Sequence, residues 1–219
     1  MSSHTGQAIA RPSPTTLFRR PVTAAADSLT LRRRLSPGQQ ERRARVLEVA
    51  TQLAENGGYD AVAMKDVAEQ SGVALATLYR WFASKDHLLT EVLLDWIAGL
   101  GATLTAEPPT EPRAADRVAT VMARIADAVA TRAELAAAVA QALLSFDAGV
   151  WDSEHDFHFA MSGWIDAAIG DDVVADRSIA IEVLEHVCFS SLISIARGRD
   201  TPEAMGARLA HTARALLRA

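Results

Sequence analysis

The sequence predicts an all-α protein with a small and a larger helical part. Apolar residues recur at helical spacing from about residue 37 to the C-terminus, and glycine or proline breakers separate the periods. No segment shows the two-residue alternation, bounded by turns, that is typical of strands. The chain has 219 residues, of which 49% are hydrophobic. That is enough apolar material to form a core without disulfide bonds.

The element boundaries follow from caps and breakers. Ser36 is a suitable N-cap and Pro37 suits a first helical position, so the first helix begins there, and Gly57 and Gly58 are expected to end it. The proline-rich segment 107–112 predicts a linker, and 198–202 closes the penultimate helix. The predicted helices span residues 37–56, 64–71, 75–81, 85–101, 113–131, 133–146, 153–169, 173–197 and 202–218.

Charge is divided unequally along the chain. The net charge is −5, yet residues 1–90 hold 12 basic and 8 acidic residues, whereas residues 91–219 hold 10 basic and 19 acidic ones. Residues 1–35 have no apolar period and are rich in Pro, Ser, Thr and Arg, which predicts a disordered basic tail. The N-terminal part therefore favours a polyanion as partner, and the acidic part needs another role.

Several classes of protein are disfavoured by what the sequence lacks. Cys188 is the single cysteine, so neither an internal disulfide nor a thiolate metal cluster can form within one chain. No uninterrupted apolar run reaches about 18 residues and the N-terminus does not resemble a secretory signal, so we expect a cytoplasmic protein without a membrane partner. His155 and His158 stand three residues apart, but without a nearby cysteine or an obvious carboxylate frame they are more typical of surface or pocket-rim histidines, so no metal or cofactor is predicted.

The segment from Met64 to Phe82 has the spacing of a helix-turn-helix. Ala68 is small where two helices would cross, and Gly72 can adopt the positive φ of the turn. Val73 and Leu78 would then hold the second helix on the first. A plain helical hairpin in a bundle is the alternative explanation of the same spacing.

The continuation LYRWFASKDHLL makes residues 39–95 resemble the DNA-binding region of the TetR family of transcriptional repressors. The segments GGYDAV, LATLYRWF and SKDHLL are most similar to the corresponding segments of the actinobacterial cholesterol-catabolism repressor subgroup. The resemblance implies a helix-turn-helix domain in a three-helix bundle at residues 36–85. It also implies a ligand-binding and dimerisation domain at residues 86–219, whose helices 173–197 and 202–218 would form a homodimer interface.

The resemblance also implies which residues contact DNA. Arg80 is the expected base reader, because a guanidinium can bind guanine O6 and N7 together. Lys85 lies behind the N-cap Ser84 and is expected on a phosphate. Met64 stands where the family usually has a capping threonine, so Lys65 is expected to replace that contact. Trp81 is equally compatible with a packed position. The predicted DNA-binding residues are Arg42, Arg43, Lys65, Leu75, Ala76, Thr77, Tyr79, Arg80, Trp81 and Lys85.

Aromatic and methionine side chains of the larger part can line an apolar pocket, although each one alone is more often a core residue. A buried His186 is either a ligand contact or a core histidine with satisfied hydrogen bonds. The predicted ligand-binding residues are Trp96, Met122, Phe146, Trp151, Phe157, Trp164, His186 and Phe189. The resemblance to the cholesterol-catabolism repressor subgroup, together with these aromatic residues, implies a lipid, a sterol-derived compound or an acyl-CoA-like molecule as ligand.

Together these features predict a dimeric repressor that binds a pseudo-palindromic operator and leaves it when a small apolar effector binds. A non-specific architectural DNA-binding protein is the first alternative, and the acidic larger part disfavours it. An all-α enzyme is the second alternative. It is disfavoured because no paired carboxylates, glycine-rich phosphate loop or nucleophile triad can be recognised in the sequence.

Overall fold

The computed structural model describes residues 36–145 and 148–218, except for the side chains of residues 148, 149 and 151–155. Within these ranges the chain forms nine α-helices and no strand, so the all-α prediction is confirmed. The helices are α1 (Pro37–Ala61), α2 (Met64–Ser71), α3 (Leu75–Trp81), α4 (Lys85–Ala106), α5 (Ala114–Thr131), α6 (Ala133–Ala142), α7 (Ala148–Ile169), α8 (Arg177–Ala196) and α9 (Pro202–Leu216).

Helices α1 to α3 form a small bundle around fully buried side chains, among them Val46, Ala50, Val67 and Leu78. Ser36 caps α1 as predicted, and its own N–H bonds Gln39 Oε1 at 2.9 Å. Helical geometry is interrupted at Gly57 and Gly58, where Gly58 has φ +66°, and one further turn then runs to Ala61. The two glycines therefore kink α1, and the helix does not end at residue 56 as predicted.

Helix α4 joins the small bundle to the larger part. Its N-cap is Ser84, whose Oγ accepts a hydrogen bond from the His87 N–H at 3.0 Å. The helix continues to Ala106, beyond the end predicted at residue 101, because glycine there serves helix packing. A Cβ on Gly101 would lie 3.0 Å from Nε1 of Trp164 on α7. Buried residues from Val46 to Leu217 belong to one cluster, which includes side chains on both sides of residue 85.

Helix α9 packs along α5, and Gly206 makes the approach close, since a Cβ there would lie 3.0 Å from the Ala126 Cβ. Met205, Leu209 and Leu217 are consequently buried within the monomer. These three side chains are therefore covered by the monomer itself, and the dimer interface on helices 173–197 and 202–218 stays a prediction. Helix α8 also begins later than predicted, at Arg177, because residues 171–176 form a loop in which Asp176 has φ +49°.

Arg117 on α5 connects the C-terminal end of α7, the loop that follows it and the linker that precedes α5. Its five guanidinium N–H groups donate to the carbonyl oxygens of Ala168 and Ile169 at the end of α7, to Asp172, and to the linker carbonyls of Glu111 and Pro112. Arg177 adds a bond from Nη1 to the Gly170 carbonyl at 2.7 Å. Helix C-terminal carbonyls have no partner within the helix, so these arginines satisfy them and fix the far end of the larger bundle.

Candidate DNA-binding surface and ligand cavity

The turn between α2 and α3 has helix-turn-helix geometry. Gly72 has φ +66° and ψ 27°, and its N–H donates to the carbonyls of Ala68 and Glu69. The Val73 N–H bonds the Ala68 carbonyl at 3.0 Å. A side chain other than glycine is strained at this φ, so the glycine and the small Ala68 together allow the tight crossing. The helix-turn-helix prediction is confirmed.

Helix α3 presents most of its predicted contact residues to solvent. Leu75 is 40% exposed and Tyr79 is 50% exposed, while Ala76 and Arg80 are also exposed and Thr77 is half-buried. Leu78 and Phe82 point inward and are completely buried. Trp81, predicted as a possible DNA contact, is 9% exposed and packs in the bundle, so the packed alternative describes its place.

The start of α2 has the features predicted from its sequence. Ala63 occupies the N-cap and makes no side-chain cap bond, and Met64 is buried at 8% exposure. Lys65, the next residue, is exposed. A threonine-type cap is therefore absent at this helix end. Lys65 stands as the exposed cation beside the backbone N–H groups of the first turn.

Lys85, the first residue of α4, contacts Tyr59 of α1. Its Nζ is 3.6 Å from the centroid of the Tyr59 ring and donates to the Tyr59 carbonyl at 3.1 Å. The Tyr59 hydroxyl donates to Asp86 Oδ1 at 2.6 Å. Burial, followed by the Asp86 carboxylate, raises the pKa of Tyr59 to about 12, so it stays a neutral donor. The Lys85 ammonium is thus positioned by protein contacts and still half-exposed.

The adjacent side chains of Arg42 and Arg43 lie in different environments. Arg42 is exposed on α1. Arg43 points inward, where its Nη2 pairs with the Glu91 carboxylate and its guanidinium lies 5.0 Å from the Phe82 ring centroid. The Arg43 and Glu91 side chains are only 14% and 4% exposed. In this arrangement Arg43 holds α1 against α4, and a phosphate contact by Arg43 requires breaking that pair.

An apolar cavity of about 40 Å³ lies in the larger bundle between α4, α5, α6, α7 and α8. Trp96, Phe157 and Trp164 line it as predicted. Sequence reasoning missed most of the wall, which consists of small and aliphatic residues with no chemical signature beyond helical periodicity. These residues are Leu93, Ile97, Leu100, Ile125, Ala128, Val129, Val139, Ala140, Leu143, Met161, Cys188 and Leu192.

Three other predicted ligand residues lie elsewhere. Met122 is fully buried, but it does not line the cavity. His186 is exposed rather than buried, and its Nδ1 is 2.7 Å from the Glu182 carbonyl on the outer side of α8. Phe189 is half-buried with its ring centroid 6.2 Å from that of His158. Phe146 and the side chain of Trp151 lie outside the described residues.

His158 faces a carboxylate rather than a metal site. Its Nδ1 lies 3.7 Å from Glu185 Oε2, and the Ser162 hydroxyl donates to the other Glu185 oxygen. In the part of the chain that the structure describes, no group of three or more His, Cys, Asp or Glu side chains is arranged to hold a metal ion.

Cys188 lines the cavity, so the reactivity of its thiol measures whether the cavity is closed. It is fully buried, and desolvation, with a smaller contribution from Glu185, raises the pKa of its thiol from 9.0 to about 12. Because the thiolate is the nucleophile, we expect native protein to react with iodoacetamide at pH 8 about 10³-fold more slowly than urea-unfolded protein. Mass spectrometry over time measures both rates. Equal rates would show that the cavity opens freely in solution.

Comparisons with known proteins agree with this geometry. Residues 46–92 match the model for bacterial regulatory proteins of the tetR family. The HTH-type transcriptional repressor KstR of Rhodococcus jostii (strain RHA1) is 30% identical over 199 residues, which cover 90% of this chain and 93% of that protein. A TetR transcriptional regulator from Rhodococcus sp. RHA1 superposes with a TM-score of 0.73 and 27% identity, covering 83% of this chain and 98% of that one.

A further solved structure shares the fold at low identity. It is the FadR repressor of Thermus thermophilus in complex with lauroyl-CoA. Its TM-score is 0.63 at 18% identity, and the match covers 80% of this chain and 93% of that one.

Proposed function

This chain belongs to the TetR family of bacterial regulatory proteins and to its KstR subgroup, and on that premise we propose how it represses transcription. It binds a pseudo-palindromic operator as a homodimer in the cytoplasm and is released when a small apolar ligand of the lipid or acyl-CoA class enters its cavity. The observation that supports this most directly is α6, which lines the apolar cavity and packs along α1 of the helix-turn-helix bundle.

Recognition of DNA rests on the exposed face of α3. Arg80 contacts a guanine edge in the major groove, while Leu75 and Ala76 offer apolar contact to thymine methyl groups. Tyr79 and Thr77 contact phosphates or methyl groups. Arg42, Lys65 and Lys85 contact the phosphate backbone and set the register of the protein on the duplex. The basic tail, whose residues lie outside the described part, adds further charge of the right sign.

The dimer forms through α8 and the open groove beside it. By its length and composition alone, helix α8 is apolar enough to cross a membrane. Only 28% of its most apolar stretch is buried in the monomer, however. The other helix of that kind, α4, lies in the core. Ile179 and Val183 stand one helical turn apart on α8, and Ile179 is 54% exposed. A second copy would cover this ridge, and a two-fold dimer matches a pseudo-palindromic site.

The cavity wall supports the proposed ligand class. All the wall surface is apolar, so a buried polar group of a ligand would find few partners there. An acyl chain or a fused apolar ring suits such a wall, with polar groups left at the surface. The FadR repressor of Thermus thermophilus, with its bound lauroyl-CoA, supports this class.

A ligand can enter the cavity only if the larger bundle expands. This expansion is the step that couples ligand binding to DNA binding. Pockets for small molecules typically measure about 300–1,000 Å³, whereas this cavity measures about 40 Å³. In this proposal the side chains of α6 that line the cavity, including Val139 and Ala140, move outward when a ligand binds. Because α6 packs along α1, that movement changes the position of the recognition helix relative to its half-site.

The test begins with the DNA itself. Fragments crosslinked to the protein in its own cells identify candidate operators, and competition at fixed salt compares them with unrelated DNA of equal length. A specific repressor should prefer its operator by at least about 10³-fold. A ratio near one indicates an architectural DNA-binding protein. Lauroyl-CoA and cholesterol are then tested, separately, for release of the bound operator.

The roles of Arg80 and Lys65 can be separated by substitution. We expect Arg80→Ala to cost about 1–3 kcal/mol on the operator and to relax base preference at one position per half-site. Lys65→Ala should weaken binding to all sequences alike and reduce the salt dependence. Fluorescence anisotropy on a panel of single-base operator variants measures both. If Arg80→Ala loses affinity equally for every sequence, Arg80 contacts phosphate instead.

A further inference from the structure

Arg132 stands at the joint between α5 and α6 and contacts two parts of the protein at once. Its Nε is 2.6 Å from Oε1 of Glu55 on α1 of the helix-turn-helix bundle. The Cζ atom of the same guanidinium lies 5.4 Å from the ring centroid of Trp96 on α4, within the range of a cation–π contact. Trp96 is itself part of the cavity wall.

The surroundings of this joint make it sensitive to movement. The last residue before α6 is Arg132, so its backbone ends one cavity-lining helix and begins another. The first turn of α6 also approaches the kink of α1, since a Cβ on Gly58 would lie 3.4 Å from Oε2 of Glu134. A shift of α6 or of the Trp96 ring therefore changes the geometry of the Arg132–Glu55 pair.

We propose that Arg132, held between Trp96 and Glu55, transmits occupancy of the cavity to the DNA-binding bundle. The inference rests on the proposed function, because it names the contact through which ligand binding lowers operator affinity. A ligand large enough to expand the cavity displaces Trp96, the Arg132 guanidinium moves with the ring, and the ion pair with Glu55 carries that displacement to α1. Neither residue is one of the proposed DNA contacts, and neither lines the cavity.

Partial exposure of the pair matters for this role. The side chains of Arg132 and Glu55 are 28% and 37% exposed. A pair in that position contributes little to stability and can be removed without unfolding the protein. Its contribution is instead to orientation, because the guanidinium is planar and keeps both contacts in one fixed geometry.

The experiment measures coupling rather than affinity. Operator affinity is determined with and without saturating lauroyl-CoA, and in a separate series with and without cholesterol, for the wild type, Arg132→Met and Glu55→Gln. We expect both variants to bind operator without probe, and probe without operator, within about threefold of the wild type. The fold-release of operator by the probe, typically about 5–150-fold in allosteric proteins, should fall to less than threefold in both variants.

A matched ion pair at the other end of the molecule serves as control. Arg214 Nε is 3.0 Å from Asp116 Oδ1, which joins α9 to α5, and neither residue lines the cavity. Arg214→Met should retain the wild-type fold-release. Linkage supplies a second readout, since operator must weaken probe binding by the same factor in each protein.

The outcomes distinguish the inference from the function on which it rests. If the probe releases the wild type and both pair variants equally, the role of Arg132 is overturned while effector-gated repression stands. If Arg214→Met loses coupling as well, the effect is general and the inference is also overturned. If neither lauroyl-CoA nor cholesterol releases the wild type, the proposed gating fails and the inference fails with it.

Discussion

Replacing Arg43 with Met is expected to lower the free energy of unfolding by about 3–5 kcal/mol, because it removes one partner of a buried ion pair. The Arg43 and Glu91 side chains are 14% and 4% exposed, so the Glu91 carboxylate would lose the neighbouring Arg43 cation in a region that water scarcely reaches. The same change removes the guanidinium from the Phe82 ring. Urea denaturation followed by circular dichroism measures the effect.

Its neighbour in the sequence supplies the control. Arg42 is exposed on α1, so Arg42→Met should change the free energy of unfolding by less than about 0.5 kcal/mol. The expected effects on DNA are reversed, since Arg42→Met should lower affinity and the salt dependence, whereas folded Arg43→Met should change them little. Equal stability of the two variants would show that the Arg43–Glu91 pair is not maintained in solution.

The pair itself can be isolated with a double variant. Arg43→Met combined with Glu91→Leu removes both charges and leaves apolar groups of similar size. Replacing a buried pair in this way is often neutral, so the double variant should recover most of the stability lost by Arg43→Met. Recovery shows that the cost comes from the charge left behind rather than from altered packing of α1 on α4.

The helix-turn-helix was predictable because its constraints are local. Gly72 must adopt a positive φ, Ala68 must be small, and Val73 must point back into the bundle, all within six residues. Each requirement restricts the residue type at one position. Their coincidence therefore favours the motif, and the continuation LYRWFASKDHLL separates it from a plain helical hairpin without any knowledge of distant contacts. The boundaries of α2 and α3 agree with those predicted.

The larger bundle was less predictable because periodicity shows that a helix has an apolar face but not what covers it. Leu209 and Leu192 both lie on apolar faces of the last two helices. The first is covered by α5 through the close approach at Gly206, and the second lines the cavity. His186 was placed inside by its apolar neighbours, yet the rotation of α8 leaves it exposed.

Charged residues show the same limit of local reasoning. A run of arginines at the start of α1 looks like a solvated or DNA-facing surface, and Arg42 is indeed exposed. Arg43 is instead paired with Glu91, which lies 48 residues away in the chain. Arg117 likewise bonds carbonyl groups that lie 51 and 52 residues away, at the end of α7. Such pairings depend on the tertiary fold, so no pattern near either residue indicates them.

Val183→Asp on α8 is expected to convert the dimer to a monomer and to weaken operator binding by about 10²–10⁴-fold. Val183 lines the open groove between α8 and α9, next to the exposed Ile179, so the monomer has room for the carboxylate. A second copy packed on this ridge would bury that charge without a partner. A monomer binds one half-site only and loses the gain that linking two sites provides. Sedimentation equilibrium and anisotropy with the full operator measure both effects.

The control for this prediction is Val173→Asp, which adds the same charge to an almost fully exposed valine in the loop before α8. That variant should remain dimeric and keep wild-type affinity, because no apolar contact is lost. The helices α9 and α5 should be unaffected in both proteins, since their shared face is already buried within the monomer. A monomeric Val183→Asp protein that binds the operator as tightly as the wild type would contradict the dimer mechanism. A Val183→Asp protein that stays dimeric would instead show that the two copies meet on another surface.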